Sequence, residues 1–243
     1  KVFDTDFAAD LTIMEEGNEL LNRVKENKNL PLLTSCCPGW IDYIEKNYPR
    51  YLHLPSTAKS PHEMFGAIAK SYYAEKAGID PKDIVVVSVM PCLAKKNEAN
   101  RIQLVNDNMQ NVDYVLTTRE LANMIKETGM RFDTFENGVF DNPLGESTGA
   151  ADIFGASGGV LEAAIRNLKL TVEGKVPNID FKEVRGYQGF KEATITLDGK
   201  EITNLDVSKK IVLPDKYNND ATIKGIQYSL KKTLSYLGDR VEY

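Results

Sequence analysis

Apolar residues recur along this chain at two spacings, and the switches between them outline the secondary structure. Asp10 is placed to cap a helix in which Leu11, Met14, Leu21 and Val24 share one face, while Glu16, Glu19 and Arg23 gather on another. Leu30 to Ser35 (LPLLTS) reads as a short buried strand, and Pro38 then opens a helix through Trp40, Ile41 and Ile44. Ser60, Pro61 and Glu63 spell a capping box for a helix through Phe65, Ile68 and Tyr72 that Gly78 can close. Asp83 to Met90, almost all Val and Ile, predicts a strand buried on both faces. Val112 to Leu116 predicts another, followed by a Thr117/Glu120 capping box and the helix ELANMIKETG. Strands alternating with helices imply a parallel sheet.

The pattern changes after residue 130. Asp141 to Gly159 is rich in glycine and small residues, and VLEAAIRNL then resumes a helix. KEATITL, the apolar IVLP run and an amphipathic stretch around Ile226 and Leu230 read as the start of a second α/β unit. The expected fold is therefore α/β, with mainly parallel sheets flanked by helices in two lobes. Residues 1–140 would form the first lobe, and 141–243 a Gly-rich connection and the start of the second. The active site is expected in the crevice between the two lobes.

Composition removes several alternatives. With 42% apolar residues, 27% charged residues and a net charge of -5, the chain can bury a core and offers no basic face to nucleic acid. Its longest apolar run is too short to span a bilayer, and its first residues lack a basic and then apolar leader pattern. Three cysteines, two of them adjacent, do not make a disulfide framework; a reducing, cytoplasmic setting is expected.

Cys36, Cys37 and Cys92 all fall at the ends of predicted strands, where a parallel sheet gathers functional residues. Neighbouring side chains in extended chain point to opposite sides, so Cys36 and Cys37 are expected to do different jobs. Cys37 precedes a helix whose N–H groups favour a thiolate. A pair of buried free cysteines that only fill space is the other reading. The wording around them decides: TSCCPGW (34–40) and MPCLAKKNEANR (90–101) resemble the first two signature stretches of the FeFe-hydrogenase large subunit. DLTIMEEGNEL before them and FGASGGVLEAAIR after them resemble the same family, so the likeness covers nearly the whole chain.

The resemblance implies a hydrogenase catalytic domain that reversibly reduces protons to hydrogen at the H-cluster, a 4Fe-4S cubane bridged by cysteine to a diiron subcluster. Cys37 and Cys92 would be two of the cubane's thiolate ligands, and Cys36 the terminal proton donor and acceptor. Lys95 would hydrogen-bond a cyanide ligand, Met90 would pack beside the two-iron unit, and Gly155 would bring backbone close to its diatomic ligands. Glu16, Ser56 and Glu19 would relay protons, with Arg23 beside Glu19. Ferredoxin or an accessory iron–sulfur domain or subunit would deliver electrons. Read from the residues alone, Glu16 and Glu19 would be a solvated helix face. His53 and His62 have no ligand spacing and receive no role beyond a secondary one in the pocket for His62. The Gly-rich turn lacks the ending of a phosphate-binding loop.

The family's third, cysteine-rich stretch has no counterpart here, so these 243 residues are expected to be a fragment that is inactive alone. A non-catalytic relative that binds, assembles or senses through an iron–sulfur cluster is the alternative.

Overall fold

The computed structural model describes residues 1–141, 144, 147–154, 159–174, 179, 182–183, 190–197 and 200–207. They fall into two compact units, one of residues 1–16 and 33–151 and one of 17–32 and 152–243. Of the sequence-derived features, Gly155, the IVLP run and the stretch around Ile226 and Leu230 lie outside the described residues.

Helix α1 (Asp6–Glu26) begins four residues before the expected cap. Phe7, Ala8 and Ala9 extend the apolar pattern upstream, and Ala8 and Ala9 are buried. Asp10 is consequently inside the helix, where its carboxylate accepts hydrogen bonds from the Thr148 N–H and hydroxyl at 2.5 and 2.8 Å. The buried face also differs from the expected one. It carries Ala9, Thr12, Ile13, Glu16 and Leu20, whereas Met14 is 55% exposed.

Leu30 to Ser35 is not a strand. Leu33 alone bridges to Pro55, donating its N–H to Leu54 and accepting from the Ser56 N–H. Helix α2 (Pro38–Asn47) starts on its proline as expected. Helix α3 (Pro61–Ile68) runs through a π turn at Ala69–Tyr73 into α4 (Ala74–Ala77), and Gly78 ends it at φ +67, a conformation glycine takes without steric cost. The Ser60/Glu63 capping box does not form: Ser60 makes no side-chain cap. Glu63 is buried instead and accepts a hydrogen bond from Asn111 at 3.0 Å. A tertiary partner has outcompeted the local one.

Strand β1 (Val87–Met90) pairs in parallel with β2 (Tyr114–Thr117), and the short helix α5 (Lys95–Glu98) lies in the crossover between them. The strand is not buried on both faces: Val85, Val87 and Val89 are 63, 51 and 40% exposed. Val86 and Met90 pack instead with Ala99, Val112 and Val115. The Thr117/Glu120 capping box is formed and starts α6 (Thr118–Glu127). Lys96 and the Thr117 N–H both bind Glu120 and pull its carboxyl down to about 2. Helix α7 (Gly149–Phe154) ends near the last residues of the first unit and begins the return into the second.

In the second unit α8 (Gly159–Glu173) places Leu168 against Leu20, with Leu21, Val24, Leu30 and Leu32 around them. Strands β3 (Lys182–Glu183), β4 (Phe190–Leu197) and β5 (Lys200–Val207) form one sheet, and Ala193 and Ile195 pack on Ile165 and Ile179. This sheet is antiparallel throughout, unlike the parallel pair in the first unit and unlike the sheet expected here from sequence. The overall class remains α/β. No helix among the described residues is long and apolar enough to cross a membrane.

Gly66 fixes α3 in place. A Cβ there would lie 2.3 Å from the Asn111 carbonyl oxygen, which is backbone and has little room to yield. Gly66→Ala is expected to lower the unfolding free energy by about 1–3 kcal/mol, read as a shifted urea midpoint. An unmoved midpoint would mean that α3 does not need its present seat.

Candidate functional site

Both cysteine stretches belong to the first unit, and side chains of the second hold the first. The Lys95 ammonium donates to the Cys36 carbonyl oxygen at 2.7 Å. Six residues further on, the Arg101 guanidinium binds Asp42 at 3.0 Å and also Glu45, both on α2. Three charged contacts therefore fasten the loop after β1 to the loop and helix that carry Cys36 and Cys37.

Within this junction the adjacent cysteines differ. Cys37 takes the N-cap position of α2 in extended conformation, and both Cys37 and Cys92 are exposed. Cys36 is half-buried. Burial pushes its thiol up to about 12; the nearby Glu16 carboxylate adds to the rise, as do Cys37 and Glu98 more weakly, against the opposing Lys95 ammonium. A thiol in that position keeps its proton at neutral pH. Met90 lies half-buried at the carboxyl end of β1.

Behind Lys95 stands a buried polar line that sequence reasoning missed. Lys95 donates to Glu98 Oε2 at 2.7 Å, His62 Nε2 reaches the same oxygen at 2.7 Å, and His62 Nδ1 meets the Ser88 hydroxyl at 3.1 Å. All four residues are under 10% exposed. Burial would push the Glu98 carboxyl up, but the His62 hydrogen bond and the Lys95 charge prevail and hold it below its usual range. Burial pushes the neighbouring Glu63 carboxyl up, with Asn111 and His62 opposing. The i, i+3 spacing of Lys95 and Glu98 was a usable signal in the sequence. His62, next to Pro61 in the capping segment, was given only a secondary role in the pocket, and its bond to Glu98 had no local signal.

Of the three residues expected to relay protons, Glu16 is 2% exposed, so its carboxylate belongs to the interior and not to a solvated face. It accepts from the Ser35 N–H at 3.4 Å. Ser35 in turn donates to the Ala58 carbonyl, and the Ala58 N–H donates to the buried Ser56 hydroxyl at 3.0 Å. Glu19 belongs to the second unit, where it pairs with Arg23 at 2.5 Å, and Arg23 also donates to the Asn29 carbonyl.

An iron–sulfur cubane takes four thiolates, and this chain holds three cysteines. Among the described residues no group of three or more His, Cys, Asp or Glu side chains is placed to hold a metal ion. The chain's donors thus fit part of such a ligand set and cannot complete it alone.

The family described as "Iron only hydrogenase large subunit, C-terminal domain" matches residues 1–219. The chain is 51% identical over 208 residues to the NADP-reducing hydrogenase subunit HndD of Solidesulfovibrio fructosivorans, a match covering 83% of this chain and 36% of that protein. It is 46% identical over 202 residues to Iron hydrogenase 1 of Clostridium pasteurianum, covering 83% of this chain and 35% of that one. Among solved structures, an apo FeFe-hydrogenase from Chlamydomonas reinhardtii shares 48% identity at a TM-score of 0.70, over 81% of this chain and 50% of its own. The mouse cytosolic iron-sulfur assembly component 3 is 34% identical over 220 residues, covering 85% of this chain and 46% of that protein. The chain spans between about a third and a half of the length of these relatives.

Proposed function

We propose, given that the chain belongs to the iron-only hydrogenase large-subunit family, that its parent protein reversibly reduces protons to molecular hydrogen. The family is one of oxidoreductases, and an iron–sulfur cluster joined to a two-iron unit would supply the redox chemistry. This chain's share is the part of the site that carries Cys36, Cys37 and Cys92. Cys37 and Cys92 offer two exposed thiols as cluster ligands, and Cys36 offers a protonated thiol on the more covered side of the same loop. Lys95 brings a buried ammonium to that loop, Met90 forms part of the wall, and Gly155 is assigned the close backbone approach. Glu16, Ser56 and Glu19 are assigned to proton transfer, with ferredoxin or an accessory iron–sulfur subunit as electron partner.

The observation that carries the reading is the Lys95 bond to the Cys36 carbonyl, which gathers both cysteine stretches at one place. Its test is hydrogen evolution by the anaerobically matured full-length parent with a reduced low-potential dye. Turnover is expected, whereas a fully iron-loaded parent that evolves no hydrogen would overturn it. The 243-residue chain, prepared the same way, is expected to retain substoichiometric iron. A full cluster bound by this chain alone would contradict the ligand assignment.

The assembly-component relative favours a second reading, in which the parent carries a cluster without hydrogen chemistry. Its 34% identity stands against 51% and 46% for the hydrogenases, and the first reading is the stronger.

A further inference from the structure

We infer that His62 is a positioning residue for Lys95, acting through Glu98 to aim the Lys95 ammonium at the cysteine loop. One line of hydrogen bonds crosses four parts of the first unit: Ser88 on β1, His62 on α3, then Glu98 and Lys95 on α5, then the Cys36 carbonyl before α2. Its contacts are 3.1, 2.7, 2.7 and 2.7 Å.

The geometry explains why the histidine matters. Glu98 Oε2 is a single acceptor atom receiving from both His62 and Lys95. Without His62 the carboxylate is tethered by the lysine alone and is free to turn about its last torsion, which is broad for a carboxylate. The lysine, with four rotatable bonds, would turn with it. His62 prevents this because its own ring is fixed at both nitrogens. Nε2–H donates to the carboxylate, and Nδ1 shares a hydrogen bond with the Ser88 hydroxyl. Pro61 at the first helical position and the close approach of Gly66 to Asn111 hold the helix beneath it.

Lys95 has three N–H donors, and two are used by Glu98 and Cys36. A fixed pair of contacts fixes the direction of the third. Glu63 is the other carboxylate near the ring, with Oε1 at 3.7 Å from Nε2, too far for a hydrogen bond. Its other oxygen, Oε2, accepts from Asn111 at 3.0 Å, and Oε1 makes no hydrogen bond. The role of Lys95 at an iron site rests on the function proposed above; the fixing of its ammonium by His62 does not.

The test reads lysine accessibility in the 243-residue chain and involves no hydrogen chemistry. The chain is pulse-labelled by reductive methylation, and the rates at Lys95, Lys70 and Lys96 are compared by peptide mass spectrometry. Lys70 is a buried control held by Asp113 and the Gln110 carbonyl, and Lys96, paired with Glu120, is a half-exposed one. His62→Ala is expected to speed labelling of Lys95 about tenfold, the size of a local opening, while Lys70 stays protected. His62→Gln, which keeps an N–H donor toward Glu98, is expected to restore protection. Three results would overturn the inference: unchanged Lys95 labelling in His62→Ala, equal deprotection of Lys70, which would mark general loss of fold, or no rescue by glutamine. A parent without hydrogenase activity would leave this labelling pattern unaffected.

Discussion

Cys36→Ala in the full-length parent is expected to cut hydrogen turnover by about 10²–10⁴-fold, the range attached to a positioned proton donor, with iron content unchanged. Cys36 and Cys37 are adjacent in sequence yet differ in what surrounds them. Cys37 sits exposed at a helix N-cap, whereas Cys36 is half-buried with its thiol pushed up to about 12. A group that keeps its proton across neutral pH is suited to delivering one and poorly suited to ligating iron as a thiolate. The contrast with Cys37→Ala makes the experiment specific, because that change is expected to lower the iron content itself. Undiminished turnover in Cys36→Ala at equal iron would remove Cys36 from the proton route.

The second large effect is on stability. Glu98→Gln is expected to lower the unfolding free energy by about 3–5 kcal/mol, because it leaves the buried Lys95 ammonium without its countercharge. Glu98 is 5% exposed and Lys95 9%, so water offers little compensation. Replacing both, as Lys95→Met with Glu98→Leu, is expected to recover only part of the loss: no uncompensated charge remains, but the His62 N–H and the Cys36 carbonyl lose their partners. Urea unfolding of the three variants measures this, and a double variant as unstable as the single one would show that packing sets the cost. The sign of the pH dependence follows from the depressed Glu98 carboxyl. Its contribution is fully present above the ordinary carboxylate range and is lost as pH falls through the lower folded value. The wild type should therefore lose an increment of stability in acid that Glu98→Gln lacks.

Features that depend on a few neighbouring residues could be read directly from sequence. The Thr117/Glu120 capping box, Pro38 at the start of α2, and Gly78 closing the helix at positive φ all formed where the local pattern placed them. The parallel pairing of β1 and β2 followed from their alternation with helices. What failed was local chemistry overridden from a distance. Ser60 and Glu63 have a correct capping spacing, yet Asn111, 48 positions away, holds Glu63 in the interior. Asp10 had the right residue type for a cap, but the apolar residues before it lengthened the helix and Thr148 took its carboxylate. Glu16 looked solvated by its type and proved buried. The cysteine stretches were legible as wording, and Lys95 was named from the same resemblance. The support behind Lys95 was not, because His62 reaches Glu98 across 36 positions and leaves no periodic trace.

The crossover between β1 and β2 has a consequence for how the domain can change. Parallel strands oblige the chain to leave the sheet for a dozen residues or more before returning, and here Cys92, Lys95, Glu98 and Arg101 occupy that obligatory excursion. Any shortening of it removes chemistry and topology together. Its outer tip is different: Asp107 and Asn108, both exposed, turn the chain at φ +49 and +60 inside the Asn106–Met109 bridge. New sequence can be accommodated at that tip while both strands keep their register, which makes it the natural opening for grafted segments or for new chain ends in a permuted protein.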